Sequence, residues 1–351
     1  MYVQAGSFST SGGNTGGISA NSLLNPRYLS LDNQRGLYVG DGGNSRVLYY
    51  PAGTTTATRV YGQFGSFITG TGNNGGVSAN SLNDPFHALA DGQGGVYVSD
   101  FNNNRVLHYP VDSTTADRVY GQAGSFTTTA CNKGGISADS LCQPYHTALD
   151  QQGGLYVVDE GNFRILYYPA GSTTANRVYG QSGDFATGTQ NKGGVSANSL
   201  NDVTFCSLDS EGGLYVADYP YRLLHFPAGI TTADRVYGQG GTFTTNPLFT
   251  ACAVTPSANS VCQPFGVSFD SFNGGLYVAD TGNARVLHYP ANSTTADKVY
   301  GQADFTGRDF SFSDNTAFNL YGVRSVLADG LGGFYTAQYD KHRLMHYPPG
   351  K

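Results

Sequence analysis

Hydrophobic and polar residues alternate along short stretches of this chain, and the stretches return at a nearly constant interval. In Gly36–Pro51, Leu37 and Val39, then Val47 and Tyr49, show the period of two expected of strands. The polar run Asp41-Gly42-Gly43-Asn44 between them reads as a turn. The same text recurs as Gly95–Pro110, Gly154–Pro169, Gly213–Pro227, Gly275–Pro290 and Gly333–Pro348. Its central tyrosines, Tyr38, Tyr97, Tyr156, Tyr215, Tyr277 and Tyr335, are spaced by 59, 59, 59, 62 and 58 residues. A fixed period of this size marks a repeat architecture.

Each unit predicts four short strands. In the first copy these are Arg27–Asp32 (a), Gly36–Asp41 (b), Ser45–Tyr50 (c) and Thr58–Gln63 (d), joined by turns rich in Gly, Asn and Pro. Six copies of four antiparallel strands make an all-β, six-bladed β-propeller, with residues 1–351 as one domain. Met1–Phe8 matches Val60–Phe67, the d-strand text that is due after Pro348. Residues 1–8 are therefore expected to pair with the last blade, about 320–348, and close the ring without a free edge.

Composition agrees with strands and turns: 49 Gly, 25 Tyr and no Trp, with 13% charged residues. No apolar run approaches the ~18 residues of a membrane span. Eleven of the 19 basic residues are positions of the repeat, which leaves no basic stripe for a phosphate backbone, so nucleic acid is not an expected partner. Cys131 and Cys142 bracket one d-to-a connection and Cys252 and Cys262 another. They read as two local disulfides and hence an extracellular or cell-surface protein. Cys206 falls at an inward strand position and reads as a small buried hydrophobe.

The strand pattern Pro-x-x-φ-x-φ-Asp, then Gly-Leu-Tyr-Val-Ala-Asp, then Gly-Asn-x-Arg-Val-Leu-x-Tyr resembles the NHL repeat, most cleanly in Gly275–Pro290. The resemblance covers essentially the whole chain and implies a six-bladed NHL propeller. It is specific for fold and poor for function, because NHL propellers include RNA binders, protein-binding scaffolds, sensor ectodomains and a metal-dependent amidating lyase. The chain departs from a minimal repeat in its long d-to-a connections, with the recurrent text Gly75–Leu82, Gly134–Leu141 and Gly193–Leu200. Ser78 and its equivalents are expected to cap a single helical turn there. These connections and the b-to-c turns share one face, the top, and long loops of this kind are usually functional.

Recurrent polar groups read as structure, since a site needs one special blade. The Asp41-x-x-Asn44-x-Arg46 turn recurs in nearly every copy, and His108, His225, His288 and His346 alternate with Tyr49 and Tyr167 at one strand-c position. The copies diverge where strand a begins, beside the channel on the top rim. There the chain places Arg27-Tyr28, Phe86-His87, Tyr145-His146, Thr204-Phe205, Phe265-Gly266 and Arg324-Ser325. Arg27, Tyr28, Phe86, His87, Tyr145, His146, Phe205, Phe265 and Arg324 are the candidate ligand-binding rim. His87 and His146, in adjacent blades, are candidate ligands for Zn or Cu. The amidating lyase among the family's members uses rim histidines in this way. The channel-facing residues Ser30, Leu89, Ala148, Ser207, Ser268 and Leu327 include no acid of the kind that holds Ca²⁺ in lactonase-type propellers.

No nucleophile elbow or paired catalytic carboxylates are visible, so catalysis is not expected and no cofactor is required. The reading is a non-catalytic extracellular binding or scaffold propeller. Its top loops and aromatic/His rim bind a protein, a glycan or another copy of itself. The alternative is a metal-dependent lyase or hydrolase at the top mouth, with Zn or Ca as cofactor.

Overall fold

Six antiparallel sheets surround a channel in the computed structural model, which describes residues 12–244, 252, 255–310, 319–339 and 343–349. Five sheets have four strands in the order a-b-c-d, and the sixth has three among the described residues. The first blade contains Pro26–Leu31 (a), Leu37–Asp41 (b), Arg46–Tyr50 (c) and Arg59–Tyr61 (d). The a strands follow one another round the channel, and that of the last blade, Val323–Ala328, packs beside that of the first. The outer strand assigned to residues 1–8 lies outside the described residues.

Strand b is buried along nearly its whole length, as in Leu37–Asp41, because each blade is covered on both faces by its neighbours. Val39 and Leu48 pack with Ala337 and Leu344 of the last blade on one side, while Tyr38 and Val47 pack with Val96, Val98 and Leu107 of the second on the other. Strand d is shorter than the sequence suggested. Gly62 turns the chain at φ +91°, and Gln63 leaves the sheet to bridge Ser81 in the following loop. The Gln63 amide donates to the Ser45 and Thr71 carbonyls. The long loop has no helical turn at Ser78. Its hydroxyl accepts from the Asn80 N–H, and its own N–H and carbonyl are taken by the Ser81 hydroxyl, a serine turn that satisfies the backbone locally.

The b-to-c turn holds these loops to the blades. In the second blade Asp100 accepts from the Asn83 N–H, the Asn103 amide and Arg105 Nε at 2.7–2.8 Å. Arg105, fully buried, gives its remaining donors to the carbonyls of Ser78 and Ser81 in the loop before the blade and of Phe126 in the loop after it. Arg46, Arg164, Arg222 and Arg285 repeat this set. On the opposite face, the Tyr49 and Tyr167 hydroxyls donate to Asp32 and Asp150, and His108, His225 and His346 meet the corresponding acids Asp91, Asp209 and Asp329. The aromatic ring with a polar tip is thus a fixed part of the blade.

Two cysteine pairs lie at disulfide distance, Cys131–Cys142 and Cys252–Cys262, with Cα–Cα separations of 4.5 and 5.2 Å. Cys206 is buried and free.

Arg105→Ala should leave Asp100 buried without its cation and three loop carbonyls without donors. An unfolding titration in urea is expected to show a loss of about 3–5 kcal/mol. The exposed-side substitution Arg118→Ala should cost under about 1 kcal/mol.

Candidate functional site

Every a strand carries a bulge at its top end. In the second blade Pro85 lies opposite Asp100 and His87 opposite Ser99, which leaves Phe86 as an extra residue; the other five blades show the same shift. A bulge re-aims side chains. Here it separates the divergent pair, so the second member of each enters the channel and the first surrounds the mouth.

The inner members are buried rather than open to a rim. Tyr28, His87, His146 and Phe205 are each 2–6% exposed. The His87 and His146 rings stack at 3.7 Å, those of His146 and Phe205 at 3.4 Å, and Tyr28 meets all three others. The Tyr28 hydroxyl reaches across the channel to the Phe265 carbonyl at 3.4 Å. Blades five and six contribute only Gly266 and Ser325 at this level. A Cβ on Gly266 would lie 3.0 Å from the Arg324 carbonyl, so a side chain in the fifth blade would crowd the backbone of the sixth. Four rings from four blades therefore form a floor across the mouth.

Burial sets the protonation of this floor. It pushes the His87 imidazolium down to about 3, although the ring N–H finds the Leu29 carbonyl. His146 is held well below its ordinary range by burial and by the neighbouring His87. Both rings are neutral at physiological pH. His87 Nδ1 accepts from the Thr147 N–H at 3.2 Å, His146 Nδ1 lies 3.8 Å from Cys206 Sγ, and His146 Nε2 is buried without a partner. Nitrogen lone pairs lie in the ring plane, and those of two stacked rings run side by side instead of meeting at one ion. No group of three or more His, Cys, Asp or Glu converges on a common point among the described residues.

Of the outer members, Arg27, Tyr145, Phe265 and Arg324 are half-buried and Phe86 and Thr204 buried, and together they make a chemically divided mouth. Arg27 lies over the Phe86 ring at 4.0 Å and the Tyr339 ring at 5.1 Å. Arg324 lies over Tyr339 at 4.7 Å and Phe265 at 4.5 Å. Cations and ring faces thus succeed one another from the second blade through the first and sixth to the fifth. Arg27 also makes a two-oxygen ion pair with Asp84 at 3.0–3.1 Å. Between the third and fourth blades, across the mouth from Arg27 and Arg324, the Glu160 and Asp202 carboxyls act on one another. Burial and then Asp202 push Glu160 up to about 7, and burial raises Asp202 as well. Tyr145 stands between the two sides: burial pushes its hydroxyl up to about 12, with Arg324 and Arg27 opposing, and Glu160 and Asp202 adding to, the shift.

The structure thus gathers all nine rim candidates at one end of the channel, five outside and four within. Sequence reasoning missed Asp84, Glu160, Asp202 and Tyr339, together with Phe101, which stacks on Phe86 at 4.1 Å, and Tyr219, whose ring lies 5.3 Å from that of Phe265. A signal for four of them was available. The residue after the strand-b aspartate, or after Gln338 in the sixth copy, runs Gly42, Phe101, Glu160, Tyr219, Thr281 and Tyr339, and it diverges as strongly as the rim position itself.

The sequence matches no family model and no curated protein. Solved structures do resemble the fold. A streptogramin B lyase superposes with a TM-score of 0.52 at 11% identity, covering 93% of this chain and 84% of its own. A virginiamycin B lyase from Staphylococcus aureus gives 0.48 at 10% identity, with 93% and 85% covered. The chain is a six-bladed β-propeller. At this identity the likeness to the lyase extends to the fold alone.

The Glu160 carboxyl offers a direct check. Its proton is held more tightly in the folded state than at the ordinary carboxyl pKa of about 4.3. The resulting stabilisation is complete below that pH and fades as pH rises toward about 7. Melting of the protein should therefore lose at least about 2 °C between pH 5 and pH 7.5 relative to Glu160→Gln, whose amide cannot ionise. Parallel profiles for the two proteins would show that the carboxyls do not share a proton.

Proposed function

We propose that the protein is a non-catalytic binding propeller of the extracellular space that receives its partner, a protein segment or a glycan, at the top mouth. The observation that carries this reading is the break in the repeat. Among the described residues, almost every polar group elsewhere is spent in the same way blade after blade, whereas the mouth combines unlike groups from all six. Half-buried aromatic rings, guanidinium groups and polar tips are the residue types that anchor interfaces. The floor of four rings and the loops tied down by buried arginines make the surface preorganised, so little ordering entropy opposes binding. The cysteine pairs at disulfide distance support an oxidising compartment. The repeat text supports membership of the NHL group of propellers.

A second reading, a lyase or hydrolase at the same mouth, has one observation in its favour. Glu160 titrates near neutrality beside a channel, as a general acid would, and a structural neighbour is a streptogramin B lyase. The stacked, neutral His87 and His146 do not supply the converging ligands that a metal-assisted version requires.

Screening glycan and peptide arrays should find a partner whose affinity falls at least tenfold in Phe265→Ala/Tyr339→Ala. Arg59→Ala, in a cleft of about 500 Å³ on the opposite face, should leave that affinity unchanged. A partner lost with Arg59 and retained by the double variant would move the site to the other face. Cleavage of a streptogramin B by the wild type, detected by mass spectrometry and abolished in Glu160→Gln, would establish the lyase reading instead.

A further inference from the structure

We propose that Arg324 anchors a carboxylate-binding site in the mouth, and that the ligand entering it is a small organic monocarboxylate. This rests on the mouth being the binding site and adds the chemistry of what binds there.

The arginines of this protein are mostly spent. Arg46, Arg105, Arg164, Arg222 and Arg285 give their N–H groups to a buried aspartate and to loop carbonyls. Arg27 pairs with Asp84, Arg59 with Asp112, and Arg118 and Arg235 with the strand-c histidines. Arg324 is not spent in this way, and among the described residues it shares ring packing with Arg177 over Tyr167 and Arg308 over Phe310, which lie away from the mouth. It packs on the Phe265 and Tyr339 rings at 4.5 and 4.7 Å, yet it donates no hydrogen bond and meets no carboxylate among the described residues.

A guanidinium held on ring faces keeps its in-plane N–H donors available along its edge. That edge matches the two oxygens of a carboxylate. The rings also fix the side chain in place and thin the water around it, so the entropy cost of ordering is met before a ligand arrives and the attraction is less screened. Position 324 belongs to the divergent set, with Arg27, Phe86, Tyr145, Thr204 and Phe265 as its equivalents, so the repeat itself does not demand an arginine there.

The other side of the mouth selects among anions. Glu160 and Asp202 act on the same Tyr145 hydroxyl as Arg324, and Asp202 and Arg324 both act on that of Tyr219. A compact dianion such as sulfate or phosphate would hold its second charge in the field of the carboxyls across the mouth. A monocarboxylate puts one charge on Arg324 and turns an uncharged body toward the rings and the carboxyl pair. An aromatic acid and a uronic acid share this chemistry, and they differ in whether the body offers a ring face or hydroxyl donors.

The test is calorimetric titration of the intact protein with benzoate, glucuronate and sulfate, at one pH and ionic strength. At least one carboxylate is expected to bind the wild type. Its dissociation constant should rise at least tenfold in Arg324→Ala and less in Arg324→Lys, which keeps a charge but not the fork. An excess of sulfate should not displace it. Binding of benzoate alone marks an aromatic acid as the ligand class, and binding of glucuronate alone an acidic sugar. The proposal is overturned if neither carboxylate binds, if Arg324→Ala with an unchanged melting temperature binds as tightly, or if sulfate displaces the carboxylate at equal concentration. Should the carboxylates fail while the Phe265→Ala/Tyr339→Ala variant still loses an array partner, the mouth remains the site and only its anion chemistry is wrong.

Discussion

The buried aspartate–arginine pair at the b-to-c turn is the interaction on which the rest of this propeller depends. Taking both charges out of water is costly, and the pair is sustained only because the aspartate and the arginine are themselves hydrogen-bonded to the groups around them. Asp41 accepts from the Leu24 N–H, the Asn44 amide and Arg46 Nε, and Arg46 reaches the carbonyls of Ser19, Ser22 and Phe67. One side chain thereby ties a blade to the loop before it and the loop after it. Loops of this length carry many backbone groups and little apolar surface of their own. The buried guanidinium supplies the fixed partners that let them lie in one conformation on the top face.

Once the top loops are fixed, the mouth they surround is rigid enough for single residues to matter. The bulge at the head of each a strand then acts as a sorting device. It sends one side chain into the channel and leaves the other on the surrounding wall, blade after blade. Tyr28, His87, His146 and Phe205 become a dry floor whose histidines are neutral because burial leaves no means of solvating their charge. Arg27, Arg324, Phe86, Phe265 and Tyr145 become a wall with cations on one side and the Glu160–Asp202 pair on the other. Repetition builds the frame and departure from repetition builds the site, which is why the candidate ligand is sought at the mouth and nowhere along the blades.

Much of this was legible beforehand. The 59-residue period, the alternation within each unit and the turn residues between strands were enough for six blades, because each is a local property of the chain. The role of Asp41, Asn44 and Arg46 was also readable, since residues repeated in nearly every blade are frame and not chemistry. Less legible were the ends of elements. Strand d closes at Tyr61 because Gly62 turns the chain and Gln63 is drawn to carbonyls in two other segments. Ser78 favoured a helical turn by its type alone, but Ser81 three residues on satisfied the same backbone groups in a tighter turn.

By itself, then, the sequence determined the blade, the number of blades, the cysteine pairings within their loops and the ring of positions where the copies differ. These follow from periodicity and from contacts between residues near in the chain. Only the tertiary structure decided what the differing positions become. His87 and His146 look alike as candidate ligands when read along the chain, and closing the ring stacks them face to face with their nitrogens turned elsewhere. Glu160 and Asp202 are 42 residues apart and unremarked in the text of either repeat, yet adjacent blades bring them close enough for each to shift the other's titration. Arg324 owes its rings to Phe265 of the previous blade and to Tyr339 of its own. The physical reason is that a propeller's channel is assembled from one residue of every blade. Its chemistry is a sum over positions that are far apart in the chain and meet only when the circle closes.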